Sequence, residues 1–387
     1  MTIPSVLYFD NNATTQVDER VLEAMLPFFR ETYGNASSLH PQGEGAARAI
    51  ATARRHVAEL VGAASADDVV FTSGGTEADV AGIRTAWAER GEGADTILVS
   101  AVEHPAVMFP ARETGANVEC IAVDEHGRLD IEGAITRIEA GGVALVSVMF
   151  ANNETGVLVE PEALARLSRA VRAQGGSLQV DAVQALGKVH VDMTAIGADF
   201  VSLSAHKFHG PKGVGAWILD SSRHPKPPPA MAGGSQEAGR RAGTSNVPGI
   251  VGLGEAARVA RLHVDDSAEV NSLKALRDRF EAGVLERFPG TRVVGGGSPR
   301  LPNTSNLCFD GVDGEALLMG LASSGLCASR GAACSSTQKV SSPVLAAYGL
   351  TPEEASRCLR FSFSRDTTPQ EIERGWELLE QWIPALV

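Results

Sequence analysis

Short apolar runs alternate with longer segments of helical periodicity along the middle of the chain. A short run bounded by turn residues is typical of a buried strand, whereas apolar residues spaced three and four apart indicate a helix. The apolar runs lie at residues 69–71, 96–99, 118–123, 143–149, 178–180, 200–203 and 214–219. Because strands that alternate with helices favour parallel pairing, we expect an α/β fold with a mostly parallel sheet.

The clearest helix between two of these runs covers residues 161–174. Proline lies in its first turn and glycine comes just past its end, which are the positions those residues favour at helix termini. Two more helices are expected before the first run. One covers residues 21–26 with Asp18 as its N-cap, and the other covers residues 46–61.

The pattern changes near residue 264. A long helix is predicted at residues 265–288, and shorter strands come after it at residues 292–294, 306–309 and 359–363. We therefore expect a smaller α+β domain to begin near residue 264, after a larger domain that holds the mostly parallel sheet.

Composition bounds the size of the fold and the kind of partner. The chain has 387 residues, enough for two domains, and a net charge of −13 at pH 7, which argues against non-specific binding to nucleic acid or to an anionic membrane. The N-terminus lacks the pattern of a signal peptide, and no apolar run approaches the length of a membrane span. We therefore expect a cytoplasmic protein.

Five cysteines are scattered along the chain, an odd number that indicates free thiols rather than a disulfide framework. No CxxC pair occurs, which argues against structural zinc. Cys120 and Cys308 lie in strand-like runs and Cys358 precedes one, so we expect these three thiols to be buried. Cys327 is interpreted as structural.

Two polar side chains come after neighbouring strand-like runs. Asp181 comes directly after the run at residues 178–180, and Lys207 comes shortly after the run at residues 200–203. Because consecutive strands of a parallel sheet end at the same crevice, we expect the carboxylate and the amine to lie close together. Pyridoxal phosphate needs both groups, an amine for its aldehyde and a carboxylate beside its ring nitrogen. The alternative for Lys207 alone is an ordinary surface lysine.

The segment at residues 73–77 comes after a strand and opens a helix that is predicted at residues 77–89. Free amides at a helix start favour an anion, and Gly75 lets the anion approach while Thr76 adds a hydroxyl. The segment is therefore a candidate phosphate site, and a plain capped helix start is the alternative. It matches neither a Walker loop nor a dinucleotide fingerprint.

Seven motifs occur in order from about Tyr8 to Arg365 and together resemble the cysteine desulfurases of the NifS/IscS type, in the class V aminotransferase superfamily. The motifs are YFDNNATT (8–15), TSGGTE (72–77), EHPAV (103–107), NNETG (152–156), DAVQ (181–184), HK (206–207) and RAGT (241–244). The resemblance implies the fold type I of pyridoxal-phosphate-dependent transferases, with seven strands in the large domain. It also implies that residues 1–15 pack with residues 264–387 as the small domain, leaving residues 16–263 as the large domain.

The resemblance further implies an activity. L-cysteine would be converted to L-alanine, and its sulfur would pass as a persulfide to an acceptor protein, such as an iron–sulfur scaffold or a tRNA-thiolation enzyme. A homodimer is also implied. Two alternatives stay open within the superfamily, a selenocysteine lyase and a small-substrate aminotransferase. A third is a non-catalytic subunit that binds the cofactor and docks sulfur acceptors.

Site residues carry over position by position. The resemblance implies that His104 stacks on the cofactor ring and moves protons, although a lone histidine is more often structural. Lys207 would bind the cofactor covalently and Asp181 would pair with its ring nitrogen. The other implied contacts are Asn153 with cofactor or substrate, Gln184 with the ring hydroxyl, Ser204 and His206 with the phosphate, and Thr244 with the phosphate of the partner subunit. For Thr244 the alternative is a tight turn, and a metal site at His206 and His209 is rejected because further ligands are missing.

Cys334 lies in a stretch of small residues, 329–337, with weak structural preference. An exposed loop is a poor place for a core cysteine and a good one for a nucleophile. The resemblance implies that Cys334 is the catalytic residue that receives the sulfur. The loop departs from the family's usual sequence at Ala332, where serine is usual, and at residues 337–341.

Arg360 aligns with the family arginine that binds the carboxylate of the substrate. A planar guanidinium suits that task because it donates two parallel hydrogen bonds to a carboxylate. Without the family context, a surface arginine on an edge strand is an equal alternative.

Overall fold

The structure is a computed structural model that describes residues 6–331 and 342–386. The strands are β1 (Leu7–Tyr8), β2 (Val69–Thr72), β3 (Thr96–Ser100), β4 (Asn117–Ile121), β5 (Val143–Met149), β6 (Ser177–Asp181), β7 (Phe200–Ser204), β8 (Gly215–Leu219), β9 (Arg292–Val293), β10 (Thr304–Cys308), β11 (Leu326–Cys327) and β12 (Cys358–Ser362). The α-helices are α1 (Glu19–Met25), α2 (Pro27–Arg30), α3 (Pro41–Val61), α4 (Gly75–Glu89), α5 (Pro105–Glu113), α6 (Ile131–Glu139), α7 (Pro161–Ala173), α8 (Met193–Ile196), α9 (Val247–Asp265), α10 (Ser267–Arg287), α11 (Gly314–Ser323), α12 (Pro343–Ala347), α13 (Pro352–Ser356) and α14 (Pro369–Trp382).

A seven-stranded sheet forms the centre of the large domain. Its strand order is β2-β8-β7-β6-β5-β3-β4. Strand β8 runs antiparallel to both of its neighbours, and the other pairs are parallel. The predicted α/β fold with a mostly parallel sheet is therefore confirmed.

Helices cover both faces of this sheet, which explains why its strands read as apolar runs without alternation. Strand β2 shows the arrangement, since successive side chains point to opposite faces. Val70 packs in a cluster with residues of α4 and α5, whereas Val69 and Phe71 belong to the cluster that holds α3, α7 and α9. Within the described ranges, no helix is long and apolar enough to cross a bilayer.

Most predicted element boundaries lie within one or two residues of those observed. The Asp18 side chain accepts a hydrogen bond from the backbone N–H of Arg20, 2.9 Å away, and so caps α1 as expected. Helix α4 begins at Gly75, whereas the sequence suggested a start at residue 77. Strand β4 ends at Ile121, before the expected residue 123.

The prediction that Cys120 is buried is wrong. Cys120 lies on β4, which is the edge strand of the large sheet, and the residue is exposed. A cysteine within an apolar run is buried only where another strand or helix covers its face of the sheet. Cys308 and Cys358 are buried, as expected, and Cys327 is partly buried in β11.

The small domain is built on an antiparallel three-stranded sheet in the order β12-β10-β9. The N-terminal strand β1 pairs in parallel with β11. Its neighbour Phe9 packs edge-on against Phe363, with the ring centroids 4.9 Å apart, in a separate apolar cluster that also holds Phe280 and Phe361. These contacts support a division of the domains near residue 264. The exact bounds of the two domains stay a prediction.

Helices α3 and α9 pack unusually closely, because a glycine of α9 faces the backbone of α3. A Cβ on Gly254 would lie 2.4 Å from the Cα atom of Ala53, so any side chain there forces the helices apart. Overpacking of this kind costs about 1–3 kcal/mol or more.

We expect Gly254→Val to lower the free energy of unfolding by about 2 kcal/mol or more, since the added side chain cannot fit between α3 and α9. The midpoint of thermal unfolding, followed by circular dichroism, measures the loss. Leu262→Val is the matched control, because Leu262 lies exposed on the same helix. Equal midpoints for the two variants would contradict the close packing.

Candidate active site

A cavity of about 250 Å³ lies at the carboxyl ends of strands β5, β6 and β7. Residues from the N-terminal segment, from α4 and from β12 complete its walls. Most of the residues singled out in the sequence line this cavity, namely Gly75, Thr76, His104, Asn153, Asp181, Gln184, Ser204, His206, Lys207 and Arg360. The fold thus brings together side chains that are far apart in the chain, and their individual roles stay predictions.

Lys207 and Asp181 enter the cavity from neighbouring parallel strands. Asp181 ends β6 and lies beside Ser202 in the register of β6 and β7, and Lys207 lies in the single helical turn that comes after β7. The Lys207 Nζ atom donates to the carbonyl oxygens of Asn12, at 2.6 Å, and Ala13, at 3.0 Å. The N-terminal segment therefore holds the amine in place.

Asp181 is easier to protonate than an exposed carboxyl group. Burial raises the pKa of Asp181, and the Val183 N–H, His104 and Lys207 oppose that rise. The Asp181 Oδ1 atom accepts from the Val183 N–H at 2.9 Å. A carboxyl group that is shielded from water interacts strongly with any proton-bearing group that enters the cavity.

His104 is the N-cap of α5. Its Nδ1 atom accepts a hydrogen bond from the backbone N–H of Ala106, 3.1 Å away. Burial lowers the pKa of His104, and the charge of Lys207 lowers it further while Asp181 opposes both. The ring is therefore neutral near pH 7, and because Nδ1 is an acceptor its proton is on Nε2.

The start of α4 forms another wall of the cavity. A Cβ on Gly75 would lie 2.7 Å from the Cγ2 atom of Val183, so glycine is needed where the helix start meets the loop after β6. The first backbone N–H groups of a helix have no partners within it, and together they attract an anion. Ser204 lies near this helix start, since its Cβ atom would be 3.7 Å from a Cβ on Gly75. His206 lines the same cavity, and burial followed by the charge of Lys207 lowers its pKa to about 4.

Arg360 is buried, with 1% of its surface exposed, so the alternative of a surface arginine is wrong. Its Nη1 atom donates to the Asn153 carbonyl oxygen at 3.0 Å, and its Nη2 atom donates to Asp10 Oδ1 at 2.7 Å. The Nε atom has no hydrogen-bond partner among the residues that the structure describes. A buried donor without a partner is costly, so this guanidinium is a candidate binding group.

One predicted site residue among those described is not brought into this cavity. Thr244 lines a separate cavity of about 80 Å³, with Ser73, Glu237 and Arg241. Cys334 lies outside the described residues.

Three residues at or beside the cavity were not predicted from the sequence. Asn12, within the first motif, holds Lys207 through its carbonyl oxygen. Asp79 lines the cavity, and burial followed by the charge of Asp181 raises its pKa well above the usual range. Lys188 donates to the backbone and side-chain oxygens of Gln184, at 2.9 and 3.0 Å, and burial lowers its pKa to about 7.

A spacing of four residues offered a signal for two of them. Asp79 comes four residues after Gly75 on α4, and Lys188 comes four residues after Gln184. Residues four apart lie on the same side of a helical turn, so each shares the side of a residue already assigned to the site.

Glu103 lies behind the cavity and carries a proton near neutral pH. Burial is the main reason that its pKa is raised to about 8, and the charge of Asp181 adds to the rise. Its Oε1 atom accepts from the Ser100 hydroxyl and from the Met149 N–H, whereas Oε2 has no partner in the described ranges. A neutral carboxylic acid thus fits this place better than a carboxylate.

We expect Glu103→Gln to make the stability less dependent on pH. The unfolded chain releases the Glu103 proton near its ordinary pKa of 4.5, whereas the folded chain keeps it up to about 8. Wild-type protein therefore loses stability from this group as the pH rises through that window, by roughly 2–4 kcal/mol in all. Urea unfolding at a series of pH values measures the slope. Glu113→Gln, at an exposed position of α5, is the matched control, and the same slope in wild type and Glu103→Gln would refute the assignment.

Comparison with known proteins agrees with this arrangement. The model of the family aminotransferase class-V matches residues 7–374. A cysteine desulfurase of Cereibacter sphaeroides is 47% identical over 385 residues, which cover 98% of this chain and 96% of the relative. Among solved structures, a NifS-like protein aligns with a TM-score of 0.88 at 32% identity, over 98% of this chain and 100% of its own.

A further solved structure is that of SspA in complex with cysteine. It aligns with a TM-score of 0.80 at 28% identity, over 93% of this chain and 99% of its own. The matches in sequence and in fold cover nearly the full length of the chain. The chain therefore belongs to the class-V aminotransferase family and, within it, to the cysteine desulfurases.

Proposed function

We propose that the chain uses pyridoxal phosphate to convert L-cysteine to L-alanine and delivers the sulfur, as a persulfide on Cys334, to an acceptor protein such as an iron–sulfur scaffold. One observation carries the proposal. Lys207, Asp181 and Arg360, from three separate parts of the chain, line a single cavity. An amine, a buried carboxyl group and a buried guanidinium together provide for an aldehyde cofactor and an amino-acid substrate.

The residues around the cavity fit this cofactor. The first turn of α4, together with Ser204 and His206, offers N–H and hydroxyl donors to a phosphate. Asp181 would pair with the ring nitrogen, Gln184 would donate to the ring hydroxyl and His104 would cover the ring face. When bound, pyridoxal phosphate supplies an electron sink that stabilises negative charge on the carbon next to the amino group of the substrate.

Lys207 would hold the cofactor through its amine and would also move a proton. The carbonyl oxygens of Asn12 and Ala13 hold its Nζ atom at the edge of the cavity. With L-cysteine bound, a free Lys207 amine would be placed to accept the proton from Cα of the substrate. The neutral ring of His104, with its proton on Nε2, can exchange a proton with the substrate or the cofactor.

Arg360 would bind the carboxylate of L-cysteine. Two of its nitrogen atoms are already used by Asp10 and Asn153, and Nε lacks an acceptor in the part of the chain that is described. A substrate carboxylate would supply that acceptor. It would also place a second negative charge, after that of Asp10, beside the desolvated guanidinium. The substrate would thereby be oriented with its amino group toward Lys207.

Cys334 would take the sulfur. Its thiolate attacks the sulfur of the substrate, a sulfur–sulfur bond forms and the carbon–sulfur bond breaks, with its electron pair left on the substrate carbon. Protonation of that carbon yields alanine, and the persulfide stays on Cys334. The acceptor then takes the outer sulfur. A selenocysteine lyase or an aminotransferase needs no such cysteine. The similarity to cysteine desulfurases favours the desulfurase over both alternatives.

We also propose that the enzyme is a cytoplasmic homodimer. In a single chain Thr244 lines its own small cavity beside Ser73 and Arg241, apart from the residues around Lys207. This separation supports a role for Thr244 in the phosphate site of the partner subunit.

We expect single-turnover labelling to place the sulfur on Cys334. Purified enzyme loaded with pyridoxal phosphate is mixed with ³⁵S-labelled L-cysteine, and alanine and protein-bound label are followed together. Wild type should form both, whereas Cys334→Ser should lose the bound label and slow alanine formation by at least about 100-fold, because the nucleophile is gone. Cys327→Ser is the matched control and should behave as wild type.

Other outcomes exclude parts of the proposal. Alanine formation that is unchanged in Cys334→Ser would make Cys334 dispensable and favour the lyase. A failure to form alanine in wild type that holds the cofactor would exclude a cysteine desulfurase and favour an aminotransferase or a non-catalytic subunit.

A further inference from the structure

Two cysteines of the small domain face each other, outside the cavity described above. Cys308 on β10 lies directly opposite Cys358 on β12 in antiparallel register. The adjacent pair, Phe309 and Arg357, is joined by a backbone hydrogen bond, from the Phe309 N–H to the Arg357 carbonyl oxygen. Because the two kinds of pair alternate along an antiparallel ladder, Cys308 and Cys358 form a non-hydrogen-bonded pair.

Pairs of this kind have the spacing that a disulfide needs. Their Cα atoms are about 4.5 Å apart, closer than in hydrogen-bonded pairs. A disulfide requires Cα atoms about 4.4–6.8 Å apart, with side chains that point toward each other. The backbone of β10 and β12 therefore does not have to move far for a bond between these two residues.

The two thiols also converge. Both donate a hydrogen bond to the same atom, the carbonyl oxygen of Glu354, at 3.4 Å from the Cys308 Sγ atom and 3.3 Å from the Cys358 Sγ atom. Both residues are buried in one apolar cluster, so their side chains have little room to turn away. The pair is thus held in a geometry that favours a bond between the two sulfur atoms.

One thiol of the pair is the better nucleophile. The adjacent Cys358 side chain lowers the pKa of Cys308 to about 7, and the guanidinium of Arg292 helps while burial opposes the shift. Arg292 lies opposite Cys308 on β9, so Cys308 is flanked by a cation on one side and a thiol on the other. The lowered pKa favours the thiolate of Cys308, which is the form that reacts with oxidants.

A cavity of about 360 Å³ is lined by two neighbours of the pair, although neither cysteine lines it. Its walls include Arg292, the neighbour of Cys308 in the sheet, and Glu354, whose carbonyl oxygen both thiols contact. A small oxidant that enters the cavity would reach residues that adjoin the two thiols.

We propose that Cys308 and Cys358 form a reversible intramolecular disulfide on exposure to a hydroperoxide. The Cys308 thiolate attacks one peroxide oxygen, the oxygen–oxygen bond breaks, and a sulfenic acid and one water are formed after proton transfer. The Cys358 thiol attacks the sulfenic sulfur, the disulfide forms and a second water leaves. Two thiols and one hydrogen peroxide thus give one disulfide and two waters, and a dithiol reductant reverses the reaction.

The disulfide would join β10 to β12 two residues before Arg360 on the same strand face. The redox state of the two cysteines would thereby affect β12, the strand that carries this buried guanidinium. The bond itself is independent of the proposed function, since it requires only the two thiols and the oxidant.

Peptide mapping tests the proposal on the folded, full-length protein. The protein is treated with hydrogen peroxide, alkylated with iodoacetamide and digested with trypsin without reduction. Trypsin releases Cys358 in a tripeptide, residues 358–360, and releases Cys308 in residues 301–330, which also contain Cys327. We expect at least a ten-fold increase in the linked mass of these two peptides, and dithiothreitol should remove that mass.

Two variants identify the partner of Cys358. The linked mass, shifted by the substitution, should persist in Cys327→Ser and should be absent in Cys308→Ser. Cys120→Ser, at an exposed cysteine, is a further control that should leave the link unchanged.

Three results would overturn the proposal. In the first, the wild-type digest lacks the linked mass and both thiols are alkylated once the protein is unfolded. In the second, the linked mass disappears in Cys327→Ser, which would assign the bond to Cys327. In the third, the link forms only when denaturant unfolds the protein. The wild-type and Cys327→Ser digests decide the matter even if Cys308→Ser does not fold.

Discussion

The parallel pairing of β6 with β7 is the constraint on which the rest of the site depends. It sets Asp181 beside Ser202, so that the chain leaves both strands at one edge and the next turn brings Lys207 to the same cavity. In a strand a slip of one residue would turn every side chain to the opposite face, and the buried apolar faces of both strands forbid that slip. The core of the large domain therefore determines the distance between the amine and the carboxyl group.

A second part of the chain completes the site from the opposite side. Asn12 accepts from Lys207 and Gln184 through its carbonyl oxygen, while its side chain binds Thr304 and Asn303 in the small domain. One residue thus joins the strand ends of the large domain to the sheet that carries Arg360. Asp181 and Lys207 lie at strand ends of the large sheet, Arg360 lies on the small sheet, and this short N-terminal segment contacts both sheets.

Features that depend on local pattern and strand direction could be predicted from the sequence, whereas features that depend on tertiary burial could not. The alternation of apolar runs was enough for the mostly parallel sheet and for the meeting of Asp181 with Lys207. It was not enough for Cys120, which looks like a core residue but lies on an uncovered edge strand. Lys188 was overlooked because its spacing of four residues from Gln184 indicates the side on which it lies but not that its amine is buried. Seven ordered motifs, by contrast, identified the family.

The central claim is that Lys207, and not another amine, binds the cofactor. Borohydride reduction of the protein loaded with pyridoxal phosphate fixes the cofactor to its lysine, and peptide mass spectrometry locates it. We predict a single modified lysine, Lys207, whose amine lies in the cavity with Asp181. Modification of Lys188, the buried lysine with a pKa of about 7, or of a surface lysine instead would contradict the claim.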